Sequence, residues 1–102
     1  MSYSAASFVG ALSDVRLDNV FNPYSDLCEL HDEPDAAARR RRNLELSLAA
    51  AIELEVSTVW IARDLGYRGG RRTGLALTDE AHLDAYSALF HGLPVQKATK
   101  GH

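Results

Sequence analysis

The chain has a single cysteine, Cys28, among 102 residues. One thiol excludes an internal disulfide framework and any four-cysteine zinc or iron–sulfur site. A reduced, cytoplasmic setting is the simplest reading of that scarcity. Long apolar runs are also lacking. No stretch approaches the roughly 18 apolar residues of a membrane span. The first residues carry neither a basic region nor a continuous apolar run, so no signal peptide is expected. Positive charge is not in excess: the net charge is −3, which does not by itself suggest nucleic acid. His31, His82, His91 and His102 show no metal-ligand spacing. Internal repeats and low-complexity linkers are absent. What is present is an ordinary globular composition, 46% apolar and 25% charged. The length fits one small, marginally stable domain.

Periodicity divides the chain into elements. Phe8, Leu12 and Val15 predict an amphipathic helix over 4–15. Residues 16–33 read as a loop, with Asn22-Pro23 as a turn signal. Pro34 and Asp35 open a helix over 34–54, whose apolar stripe is Leu44, Leu48, Ala51 and Ile52. Its arginine run, 39–42, reads as a solvated helix face, with Asp35 and Arg39 as an i, i+4 pair. "VSTVWIA", 56–62, is β-branched and aromatic and reads as a buried strand with Trp60 in the core. A loop follows over 63–78. Thr78 or Asp79 caps a helix over 79–91 that presents Leu83, Tyr86 and Phe90 on one face and ends at Gly92 and Pro94. The polar tail, 92–102, is expected to be loose. This order has the rhythm of an α/β fold. One strand makes no sheet, however, and "GLAL" at 74–77 is the sole candidate partner.

The chemistry concentrates in "ARDLGYRGGRRTGLALT", residues 62–78. Its glycines, arginines and lone aspartate suggest an anion cradle built from backbone N–H groups. The spacing is not that of a nucleotide-binding P-loop: three residues separate Gly66 from Gly70, and Arg71-Arg72-Thr73 follow. The dinucleotide pattern GxGxxG is absent as well.

The same stretch resembles the first motif of the uracil-DNA glycosylase superfamily, which reads GQDPYHGPGQAHGLAFS in its best-known branch. Asp64 and the closing Gly74-Leu75-Ala76 fall in register with no gap. "FNPYSDLCELHD", "RRRRNLELSL" and "VWIARDLGYRGGRRTGLALTDEAHL" together look like the N-terminal half of a bacterial glycosylase-like subgroup, over most of residues 15 to 101. The resemblance implies a three-layer α/β/α fold with a parallel central sheet, here truncated. It implies DNA repair by base excision: hydrolysis of the N-glycosidic bond of uracil or a related deaminated base, without metal or cofactor. The partner would be damaged DNA and the location the bacterial nucleoid. Asp64 matches the carboxylate that activates water and stabilises positive charge at the sugar carbon, a role that chemistry demands of an anion. Arg63, Leu65, Gly66, Tyr67 and Leu77 would line the base pocket. Arg68, Gly69, Gly70, Arg71, Arg72 and Thr73 would meet DNA phosphates. Gly66 replaces the tyrosine that gates the pocket, and Leu77 replaces the phenylalanine that stacks on the base, so broad base selectivity is expected. The family's second motif, an asparagine and a histidine-containing loop, has no match here, so little turnover is expected of this chain alone.

Plainer readings stand beside these. Asp64 could pair with Arg63, Arg71 or Arg72. Arg71 and Arg72 could be surface arginines answering nearby acids. Cys28 is expected to be an inert thiol. As an alternative to an enzyme, the chain is a non-catalytic remnant or interaction module with weak DNA or phosphate binding. Unpaired edges of the 56–62 strand would favour self-association.

Overall fold

The computed structural model describes residues 4–58 and 69–100. The strand and loop readings at 59–68, Trp60 included, lie outside the described residues. Among these, four helices run in order: α1 (Ala5–Ser13), α2 (Ala36–Glu53), the single-turn α3 (Gly70–Thr73) and α4 (Leu83–Leu89), the last preceded by a 3-10 turn, Glu80–His82.

Each helix has a local cause. Ser4 caps α1 in a reciprocal box with Ser7: each accepts from the other's backbone N–H. Pro34 precedes α2, but the Asp35 side chain caps nothing. Its carboxylate takes the Arg39 Nε–H at 3.0 Å, the i, i+4 pairing expected from the sequence. Asp79 rather than Thr78 caps the last helical segment, accepting from the His82 amide at 3.0 Å.

The expected parallel sheet is not what the chain forms. No strand occurs among the described residues; one isolated antiparallel bridge joins Asp32 to Thr99. The chain geometry explains this. At the end of α2, Glu55 enters the left-handed region at φ 55°. The Val56 amide donates back to Ala51 O and the Glu55 amide to Ile52 O, which is a Schellman closure. Residues 56–58 leave that closure without forming a ladder. The other strand candidate, 74–77, is a turn: Gly74 (φ 77°) and Leu77 (φ 58°) both have positive φ, which a pleated strand cannot accommodate.

The helix faces also differ from expectation. α1 turns Ala5 and Val9 inward and leaves Phe8 and Val15, beyond its end, about half exposed. On α2 the buried face is Ala36, Ala37, Arg40 and Asn43, an i, i+1, i+4, i+7 set, while Ile52 is exposed. Among the described residues, four of the eight buried apolar side chains are alanines. Among the described residues, Arg40, Asn43 and Thr73 are the largest side chains that are fully buried. A helix face that contains an arginine is invisible to a search for apolar spacing alone.

The segment 92–100 is not loose. The Asn43 side chain donates to Gln96 O and accepts from the Gln96 amide. The Glu80 carboxylate takes the amides of Ala98 and Thr99 and the Thr99 hydroxyl. Lys100 N–H reaches His31 O, and Glu33 N–H reaches Ala98 O. Polar residues that read as a frayed tail thus form a strap across the start of α2.

Glu55 holds a backbone conformation that costs a side-chain-bearing residue roughly 1 kcal/mol and glycine much less. Glu55→Gly is expected to raise the free energy of unfolding by about 0.5–1 kcal/mol. Urea unfolding followed by far-UV circular dichroism checks it; a lowered midpoint would contradict the Schellman assignment.

Candidate functional site: the motif loop and its anchor on α2

Arg40 projects from the first half of α2 and is fully buried. Four of its N–H bonds have acceptors in place. Nε donates to Pro23 O, Nη1 to Asp32 Oδ1 at 3.1 Å, and Nη2 to both Asp32 Oδ2 at 2.9 Å and Asp26 O at 3.0 Å. The fork of the guanidinium matches the two carboxylate oxygens, which is why arginine rather than lysine suits a buried pair. Asp32 Oδ2 also accepts the Cys28 amide at 2.9 Å. Arg71, from α3, lies 3.7 Å from Asp32 Oδ1 and stacks over the Phe21 ring at 4.2 Å from its centroid.

The second half of the motif loop is fastened to this cluster. Gly74 ends α3, and a Cβ built on it would stand 2.8 Å from Arg40 O. No side chain fits there, and the positive φ favours glycine independently. Tyr24, itself buried, donates its hydroxyl to Gly74 O at 2.7 Å. Asn43 Nδ2 donates to Thr73 O at 2.9 Å. The Thr73 hydroxyl takes the Leu75 amide and reaches Thr78 O at 2.8 Å. Every buried side-chain nitrogen and oxygen among the described residues has a partner. Satisfied in this way, a polar cluster rigidifies its surroundings.

The electrostatics follow from the contacts. Burial pushes the Asp32 carboxyl up, but the Arg40 hydrogen bonds, the Cys28 amide and the charges of Arg40 and Arg71 outweigh it, and its pKa lies below the ordinary value. Burial raises the Tyr24 phenol, against the opposing charge of Arg40. The Cys28 thiol, read from sequence as inert, is partly exposed, and its pKa is lowered by the amides of His31 and Leu30, with Arg71 adding to the effect.

The sequence-predicted site residues divide into three sets. Asp64, Arg63, Leu65, Gly66, Tyr67 and Arg68 lie outside the described residues. Gly69, Gly70, Arg71, Arg72 and Thr73 are drawn together, but inward. Gly69 O accepts the amides of Arg72 and Thr73, and Gly70, Arg72 and Thr73 are buried. Arg71 is mostly covered and faces Asp32. Leu77, placed by resemblance in a base pocket, is 82% exposed. The arginine run 39–42 was expected to be a solvated face, but its members diverge. Arg40 is buried, Arg41 donates to Tyr24 O, and Arg39 donates to Lys97 O. Arg42 is exposed, with Glu45 at 4.0 Å.

Sequence reasoning missed Tyr24, Asp32, Arg40, Asn43 and Glu80. No spacing rule marks them, since their partners are far away in the chain. Among the described residues no group of three or more His, Cys, Asp or Glu side chains could hold a metal ion. None of the helices there is long and apolar enough to cross a membrane. Comparison with protein-family models, curated proteins and solved structures finds no match to this chain.

Asp32 generates a pH prediction. A carboxylate whose folded pKa is depressed contributes stability that is complete above its ordinary value, 3.8, and is lost as pH falls through the lower folded value. Asp32→Asn leaves the Arg40 charge buried without its counter-ion and is expected to cost about 3 kcal/mol at pH 7. The gap between wild type and variant should begin to narrow below about pH 4, where Asp32 of the unfolded chain protonates, and close only once pH has fallen through the lower folded value, where Asp32 is neutral in both states. Urea unfolding from pH 7 to 2.5 tests this; a gap independent of pH would show that the pair is not ionic.

Proposed function

We propose that the chain is a uracil-DNA glycosylase-like DNA repair protein, in which Asp64 assists attack of water at the sugar carbon of a flipped deaminated nucleotide. One observation carries this reading: residues 62–78 match the glycosylase motif from Asp64 to Gly74-Leu75-Ala76 without a gap. The anchoring of Gly74 is compatible with it. A carboxylate that must meet a reacting atom works best on a loop held by rigid elements. The closing half of this motif is held by Tyr24, Asn43 and the Arg40 backbone. Slow release is expected, because only the first motif of the family is matched, and each missing preorganised stabiliser costs about 3–4 kcal/mol of barrier.

With enzyme in excess over a uracil-containing duplex, base release should be measurable by alkaline cleavage at the abasic site. Asp64→Asn should lower that release more than tenfold and leave duplex affinity within twofold. Equal release by the variant, or none by wild type, sinks the assignment.

Gly66 in place of the gating tyrosine leaves room beside the base. Across duplexes that carry uracil, a thymine mismatch or a deaminated purine, the rates should differ by less than a glycosylase with a gated pocket shows. Release from uracil alone would contradict the open pocket.

The second reading is a non-catalytic module that binds DNA or phosphate weakly. The cations that do face outward favour it: Arg42 is exposed, Arg39 is its i, i+3 neighbour on α2, and Arg39 contacts the backbone of exposed Lys97. Three such contacts would give a slope of roughly −3 for log affinity against log salt on duplex DNA. Arg39→Gln with Arg42→Gln should remove most of that slope without unfolding the chain. A salt-independent affinity, or one unchanged in the double variant, rejects this module.

A further inference from the structure

We draw no further inference here: the strongest candidate, the apolar groove between α1 and the second half of α2 lined by Phe8, Leu48 and Ile52, carries nothing because nothing in the structure shows what covers it.

Discussion

The buried Arg40–Asp32 pair is the contact on which the other described contacts depend. It joins the 21–26 loop, the turn at 28–32, α2 and, through Arg71, α3. A chain of this size buries few large apolar side chains, and here the space at the centre is filled by an ion pair and amide groups. Such a pair has an asymmetric energy. Its net contribution relative to a well-packed apolar isostere is small, because desolvating two charges costs several kcal/mol each. Removing one partner is far more damaging, because the other charge then stays buried without compensation. The pair therefore selects one arrangement of these segments more than it adds stability to any arrangement.

That selection explains how the second half of a glycine-rich, arginine-rich loop is held in place. Gly74 can lie against the Arg40 backbone because Arg40 is held in place, and Tyr24 and Asn43 then secure the neighbouring carbonyls. Arg71 of α3 serves the same cluster. Arg71 is shared between the Asp32 carboxylate and the Phe21 ring. A desolvated guanidinium over an aromatic face gains from both interactions. Arg71, a basic residue that a composition argument assigns to phosphate, is thus used for internal cohesion, while exposed cations include Arg16, Arg42, Lys97 and Lys100. The apolar surface is the counterpart of a polar interior. Leu17, Val20, Leu30, Ile52, Leu54 and Leu89 are all more than half exposed.

Local features were legible from sequence to the extent that their causes are local. The 18-residue α2 falls inside the expected 34–54, since proline, acid and a run of good helix formers act within a few residues. The Asp35–Arg39 pair and the face of Leu83, Tyr86 and Phe90 follow from helical geometry alone, and Tyr86 and Phe90 do meet, with ring centroids 5.1 Å apart. Over 56–58, the described part of the expected strand, no ladder forms, because β propensity describes a fit to neighbouring strands rather than a preference of the segment. Val56 instead completes the end of α2. The strap at 92–100 escaped for a related reason. Gln96, Ala98 and Thr99 carry no apolar pattern, and their partners Asn43 and Glu80 lie 53 and 18–19 residues away.

By itself the sequence determined α1, α2 and α4, the start of the last helical segment at Thr78 or Asp79, and the motif in 62–78, with Asp64 ten residues before Gly74. Those are properties of neighbours along the chain, set by backbone sterics, by periodicity and by residue type. Only the tertiary structure decided that Arg40 rather than a leucine fills the centre, that Asp32 is its counter-ion, and that Arg71, Arg72 and Thr73 turn inward. The burial of a charge is decided by whether a partner arrives from elsewhere in the chain to offset its desolvation, and no window along α2 contains Asp32 in a position that announces it.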